Sequence, residues 1–388
     1  MADELSEHPP KTPIPMDDRR IWIDGCFDFT HHGHAGAMLQ AKRLGEYLCV
    51  GIHSDEEILA NKGPTVMTLA ERILAVSACR WANLPVPRAP YVTEPEWMDA
   101  YGCKYVVHGD DVTTDASGED CYRIVKNLGR FRIVKRTPGI STTDLVGRML
   151  LCTKTHHIKN LGDILLGDSD ESKEMLEMMR NYASDARGVV GNGPPVFEYL
   201  SANSCRSIVS GAMPAQGRKR IVYVDGGFDL FTPGHIEFLK MVVAAEGDEA
   251  FVVAGIHSDS VVSTWKGLNY PIMSLFERSM CVLQCRYVDS LVLSAPFIPD
   301  ANFLDTLEKT YGGKIEAVYH GPTAFMDGEE DTYAVAKERG IYREVGAHPF
   351  QDINAGTIVT RILHRKDLYE ERQRKKGIKA QKEVTMTN

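Results

Sequence analysis

A segment near the amino end, DGCFDFTHHGH at 24–34, comes back as DGGFDLFTPGH at 225–235, an offset of 201 residues. Three further pairs keep the same order: GIHSD at 51–55 and 255–259, LAER ending at Arg72 and LFER ending at Arg278, VVHG ending at Gly109 and VYHG ending at Gly321. The offset only grows, through 204 and 206 to 212, as short loop insertions into a duplicated domain produce. A chain of 388 residues is long enough for two or three domains with cores of their own. The repeat makes two of them copies of one fold.

Each copy alternates apolar and amphipathic stretches. In the first, IWID (21–24), YLCVGI (47–52), KYVVHG (104–109) and FRIVKR (131–136) read as strands. HAGAMLQAKRLGE (34–46) reads as a helix, with Met38, Leu39, Ala41 and Leu44 on its apolar stripe and Gly45 as its stop. Thr68 with Glu71 and Thr93 with Glu96 have capping-box spacing, and Ser141 with Asp144 opens a last helix. This rhythm predicts an α/β fold of two tandem doubly wound parallel-sheet (Rossmann-like) domains, with ligands outside the strand carboxyl ends. The expected boundaries are a disordered segment at 1–19, a first domain at 20–156, a linker at 157–217, a second domain at 218–365 and a basic tail at 366–388.

A net charge of −9 and a pI near 5.8 argue against nucleic acid as a partner, since phosphate-backbone affinity rests on surplus Lys and Arg. No apolar run reaches the roughly 18 residues of a membrane span, and MADELSEHPPKTPIP is no signal peptide, so no stable membrane insertion and a cytoplasmic location are expected. Nine scattered cysteines point to reduced thiols.

His31, Gly33 and His34 stand where a strand gives way to a helix, where open N–H groups and the helix dipole favour an anion. Gly33 lets backbone approach a ligand closely, and imidazoles donate to phosphoryl oxygens. A zinc site from Cys26, His31, His32 and His34 competes with this reading, but the span is short for structural zinc and no CxxC pair supports it, so no resident metal is expected. A bland cluster of surface histidines is the other alternative. Lys62, in an NKGP loop, Arg72, after a cap, and Arg136, at a strand end, add positive charge. KRTPGISTT (135–143) turns through Gly139 into a helix headed by Ser141, Thr142 and Thr143, a second phosphate cradle. Two cradles suit a triphosphate.

HHGH (31–34), GCFD (25–28) and RTPGISTT (136–143) together resemble the cytidylyltransferase family of the HxGH nucleotidyltransferases, over residues 20 to 365. The resemblance implies in-line attack of a substrate phosphate on the α-phosphorus of CTP, releasing pyrophosphate, with Mg²⁺ accompanying CTP. The doubled domain implies phosphoethanolamine as the other substrate; choline phosphate, glycerol phosphate and a silent nucleotide sensor are the alternatives. It implies His31 and His34 at the α-phosphate, and Lys62 and Arg136 on substrate and leaving-group charge. Arg72 would support the triphosphate, which Gly139, Ile140, Ser141 and Thr142 would cradle. Asp28 and the backbone of Cys26 and Phe27 would hold nucleotide, although Asp28 equally suits a capping acid. For the ammonium, which wants carboxylates or an aromatic face, the candidates are Tyr91, Asp110, Asp111 and Tyr122. His108 would meet cytidine or fill the strand end. A homodimer is implied by resemblance only.

The second copy keeps Asp229, Gly234, His235, Lys266 and Arg278 but has Thr232 in place of His31, Pro349 in place of Arg136, and Asn354 and Ala355 in place of Ser141 and Thr142. Losing several preorganised donors predicts one active site, in 20–156, and a degenerate partner for fold, interface or nucleotide sensing.

Overall fold

The computed structural model describes residues 9–10, 12–110, 113–200, 203–214, 220–247, 249–321 and 331–369. The chain divides into two compact units, residues 1–77, 81–152 and 356–388 making one and residues 78–80 and 153–355 the other.

The first unit runs β1 (Asp17–Gly25), α1 (His32–Leu44), β2 (Tyr47–His53), α2 (Asp55–Asn61), α3 (Leu69–Ala78), β3 (Leu84–Ala89), α4 (Pro95–Ala100), β4 (Cys103–Gly109), α5 (Arg123–Asn127), β5 (Phe131–Val134) and α6 (Thr142–Leu151). Its five strands are all parallel, in the order β3-β2-β1-β4-β5. Ile21, Trp22 and Ile23 of β1 point alternately to opposite faces, yet none is more than 3% exposed, so both faces of the central strand are covered, as a parallel sheet requires. The order reverses between β1 and β4, where Ile21 lies beside both Leu48 and Tyr105. A ligand crevice forms outside the carboxyl ends at that reversal.

Some local expectations differ. Met38, Leu39 and Ala41 are buried on α1, but Leu44, its last residue, is 52% exposed, and Lys42 turns inward to donate to Asn83 Oδ1 at 2.8 Å. Gly45 ends the helix with extended backbone; a Cβ there would lie 2.4 Å from the Arg19 carbonyl oxygen, so close approach explains the glycine. The Thr68–Glu71 capping box forms (Thr68 N–H to Glu71 Oε2, 2.9 Å). The Thr93–Glu96 box does not, because the Thr93 hydroxyl donates to buried Asp24 at 2.7 Å and Glu94 stands at the start of α4. Strand β1 begins at Asp17, so the end of the segment expected to be disordered is already in the sheet.

The second unit carries α7 (Leu161–Leu165), α8 (Asp170–Tyr182), β6 (Val196–Leu200), β7 (Ser204–Val209), β8 (Arg220–Gly226), α9 (Pro233–Glu246), β9 (Ala250–His257), α10 (Asp259–Lys266), α11 (Leu275–Leu283), β10 (Ser290–Ala295), α12 (Ala301–Tyr311), β11 (Ile315–His320), α13 (Ala334–Glu338) and β12 (Tyr342–Glu344), and the chain then reaches α14 (Ala355–His364). The strand order β12-β11-β8-β9-β10 repeats the first sheet, and β6 and β7 extend it to seven strands, β7 antiparallel. The stretch read as a linker is therefore an integral edge: Val196 and Phe197 pair with Leu291 and Val292 of β10. From Gly356 onward, α14 belongs to the first unit although the repeat assigns it to the second copy. The basic residues of the tail from 372 on lie outside the described residues.

Candidate active site

At the carboxyl end of β1 the chain makes a tight turn in which Phe27 and Phe29 both take left-handed backbone, φ 51° and 55°, unusual for bulky side chains. The surroundings hold them there. The Asp28 carboxylate accepts from the Val66 and Met67 amides, each at 3.0 Å; Thr30 Oγ1 donates to the Phe27 carbonyl at 2.9 Å; an Arg72 guanidinium nitrogen donates to the Cys26 carbonyl at 2.7 Å. His31 then caps α1, its Nδ1 accepting from Gly33 N–H at 3.1 Å. With Nδ1 accepting, the proton of the neutral ring sits on Nε2. The His31 ring stacks on His34 with centroids 4.0 Å apart, and Phe27 meets His34 edge-on at 5.6 Å. A Cβ on Gly33 would stand 2.8 Å from the His31 ring and 2.9 Å from Ile140 Cγ2, so only glycine fits between the two loops.

The second turn lies after β5. Gly139 has φ +79°, and Ser141 caps α6 by accepting from Asp144 N–H at 3.0 Å. Thr142 Oγ1 donates to the Asp28 carbonyl at 3.2 Å, so the two turns are joined directly. Arg136, Thr137, Pro138, Gly139, Ile140, Ser141 and Asp144 line a cleft of about 540 Å³. Lys62, exposed, follows α2, with its N–H on the Ile58 carbonyl at 2.8 Å.

Several expected ligand contacts are instead supports of this architecture. Arg72 is fully buried and donates to Met67 O, Cys26 O and Asp55 Oδ1 at 3.2, 2.7 and 2.7 Å, which leaves it no surface toward a triphosphate. Asp28, 2% exposed, ties down a loop rather than a helix end or a nucleotide. Asp110 accepts from Arg136 N–H at 3.3 Å, shaping the second turn; Asp111 lies outside the described residues. The His108 ring lies tilted against Tyr122, centroids 4.6 Å apart, with Nδ1 on the Gly109 carbonyl at 3.2 Å.

Asp24 escaped the sequence reading because it closes a strand pattern. It is 4% exposed and accepts from Trp22 Nε1 (2.8 Å), Thr93 Oγ1 (2.7 Å) and Tyr122 OH (2.7 Å). Tyr91 and Tyr122 share one buried cluster with Trp22, and Tyr91 lies 5.0 Å from the His53 ring. Burial pushes the His53 pKa down, Asp24 pulling the other way, so this ring is neutral. The signal in sequence was a carboxylate at the end of an apolar strand that should have been buried. Among the described residues no group of three His, Cys, Asp or Glu side chains is placed to hold a metal ion.

The second copy keeps the scaffold: Asp229 accepts from the Ile272 and Met273 amides (2.7 and 3.0 Å), and buried Arg278 donates to Gly227 O and Asp259 Oδ1 (2.5 and 2.8 Å). The cradle differs. Thr232 Oγ1 donates to Ile353 O at 2.6 Å, and a Cβ on Gly234 would lie 2.6 Å from Ile353 O and 3.0 Å from Phe350 O. Backbone carbonyls thus stand at the α9 amino end, which repels the anion that such an end attracts. Burial drives His235 down to about 3, with Lys266 adding to the effect, so this imidazole is an uncharged packing group.

The sequence matches the family described as cytidylyltransferase-like over residues 22–148 and 223–380. It is similar to the ethanolamine-phosphate cytidylyltransferase of Dictyostelium discoideum, with 42% identity over 93% of this chain and 95% of that protein. To the ethanolamine-phosphate cytidylyltransferase of Mus musculus the identity is 39%, over 94% of this chain and 91% of that one. Choline-phosphate cytidylyltransferase A of Mus musculus is 39% identical, but over only 37% of this chain and 39% of that protein. The stacked histidines, the joined turns and these matches over both copies agree: the chain belongs to the cytidylyltransferase-like family.

Proposed function

We infer that the protein is a CTP:phosphoethanolamine cytidylyltransferase. A phosphoethanolamine oxygen attacks the α-phosphorus of CTP, the bond to the β-phosphate oxygen breaks, and CDP-ethanolamine and pyrophosphate leave. The observation that carries this reading is the His31–His34 stack at the amino end of α1, reached from a turn whose Asp28 carbonyl accepts from Thr142 of the RTPGISTT turn. Positioning and electrostatics suffice for phosphoryl-type transfer. His31 Nε2 and His34 donate to the α-phosphate as negative charge builds, Lys62 and Arg136 meet charge on substrate and leaving group, and the α6 amino end with Ser141 holds phosphate. Arg72 and Asp28 act one layer behind, as positioning residues.

Tyr91 and Tyr122 offer aromatic faces to the ammonium, and Asp24, its carboxylate taken up by Trp22, Thr93 and Tyr122, supplies negative charge behind them. The Asp28 and Asp24 carboxylates already accept hydrogen bonds from protein groups, so the donor set fits Mg²⁺ brought on triphosphate oxygens and water rather than a protein cage. When bound there, Mg²⁺ neutralises phosphate charge. Free phosphoethanolamine and nine thiols suit a cytoplasmic enzyme; no described helix is long and apolar enough to cross a membrane. Homodimerisation is checked by sedimentation.

The test is CTP consumption with phosphoethanolamine, choline phosphate or glycerol phosphate as co-substrate. Turnover with phosphoethanolamine at least tenfold above the other two is expected; preference for another phosphate would overturn the substrate, and no turnover with any would overturn the reaction.

A further inference from the structure

The loop between α2 and α3 is held from both edges of its backbone. Its amides are taken from inside the repeat, Val66 and Met67 by Asp28 and Leu69 by Asp55 Oδ2 at 3.1 Å. Two of its carbonyls, those of Thr65 and Val66, are taken by residues about 300 positions away in sequence, at the end of the described chain. Arg361 on α14 donates to Val66 O at 3.3 Å, and Tyr369 OH donates to Thr65 O at 3.1 Å. Arg361 also forms a two-pronged pair with Glu71, each bond 2.8 Å. Glu71 is the acid of the α3 capping box and its side chain is 5% exposed, while Tyr369 is 2% exposed. All these residues belong to the first unit.

We propose that Arg361 and Tyr369 are positioning residues for the reaction, holding the loop that carries Lys62 against the Asp28 turn that leads into His31. This rests on the cytidylyltransferase reading above. The logic is geometric. Val66 offers its N–H to Asp28 and its C=O to Arg361, so one peptide strand is clamped between the histidine turn and α14. Lys62 lies four residues before that clamp, within the same short loop. A cation on an exposed, flexible stem needs a fixed backbone to meet a phosphate at the moment charge develops. Removing the outer clamp loosens the loop without touching any group that meets substrate. The loss therefore falls on kcat, where Lys62 acts, more than on the KM for CTP, which the α6 cradle supports.

The test uses the full chain with Arg361→Ala, Arg361→Lys and Tyr369→Phe, each assayed for kcat and KM and each corrected for folded fraction by near-ultraviolet circular dichroism. The expected result is a fall of about tenfold in kcat for Arg361→Ala with KM for CTP within about threefold. Partial recovery is expected in Arg361→Lys, which keeps the charge but not the fork. Tyr369→Phe, which deletes one hydroxyl, should lose about threefold in kcat; if Arg361→Ala fails to fold, this variant carries the test, and a kcat within twofold of wild type in it alone overturns the proposal. Amide hydrogen exchange of the 64–70 segment reports on the clamp independently of activity and should quicken in Arg361→Ala. A kcat within twofold of wild type in both Arg361→Ala and Tyr369→Phe overturns the proposal. So does a kcat loss that vanishes on correction for folded fraction, or exchange that does not change. Absence of turnover in the wild type would instead overturn the reaction, leaving the exchange measurement to decide the clamp.

Discussion

Two imidazole rings stacked at 4.0 Å at a helix amino end form a fixed pair of donors, and a fixed donor needs no reorganisation as charge appears on a phosphate. His34→Ala is therefore expected to lower kcat by about 10²–10³ with the melting temperature nearly unchanged, whereas His235→Ala, per folded molecule, should keep kcat within about twofold. Steady-state kinetics on both variants decides it, and equal losses would mean that both copies turn over. Arg72 makes a contrasting case: Arg72→Ala leaves Asp55 and two carbonyls without their buried partner, so about 3 kcal/mol of stability is expected to go, read as a shift in urea midpoint. The histidines were legible in the sequence because their clustering is chemical. The structural duty of Arg72 and Asp28 was not, because charge type says nothing about burial, and here burial decides which cation faces a ligand. At the same scale, burial pushes Asp225 up to about 7 from an ordinary 3.8, the Tyr333 and Tyr223 hydroxyls acting in the opposite direction. Between those values the folded chain holds a proton that the unfolded chain has released, so the contribution of Asp225 is full below about pH 4 and lost as pH rises to about 7. Asp225→Asn, which cannot titrate, should gain melting temperature relative to wild type from about pH 5 to 7 and hold the gain above that. A flat difference across this range would contradict the assignment.

Helix α1 and the turn before it act as one element, since Gly33 sits between the His31 ring and Ile140. Gly33→Ala should push the ring off the helix axis and cost at least tenfold in kcat while the helix itself, in which alanine is favoured, stays formed; circular dichroism with kinetics separates the two. Strands and capped helices of the first copy were readable from period and spacing, because β1 and α1 bury residues that announce themselves as apolar. The edge pair β6 and β7 was not. Their stretch follows an acidic helix and a Gly/Pro run, the composition of a connector, and only pairing with β10 gives them a place. Thr93 shows the same limit in miniature: its spacing to Glu96 allows a cap, but a buried carboxylate elsewhere in the unit takes its hydroxyl.

Over the whole chain, duplication has kept a scaffold and changed a cradle. The Asp229 and Arg278 supports repeat those of Asp28 and Arg72, but carbonyl oxygens of Phe350 and Ile353 stand where phosphate would be drawn. Equilibrium dialysis of the intact protein is accordingly expected to give one CTP per chain, and two would show the second cradle to be open. Division of the molecule by repeat and by contact disagrees at residues 78–80 and 153–156, which the second unit claims, and at the last described helix, which the first unit claims from Gly356 onward. On the ribosome this sets an order of events: the part that holds the histidines emerges first, yet its backbone is not fully secured until residues near 361 and 369 have been added. A nascent chain that has not yet reached residues 361 and 369 thus has its histidines without the brace proposed to align the loop that carries Lys62.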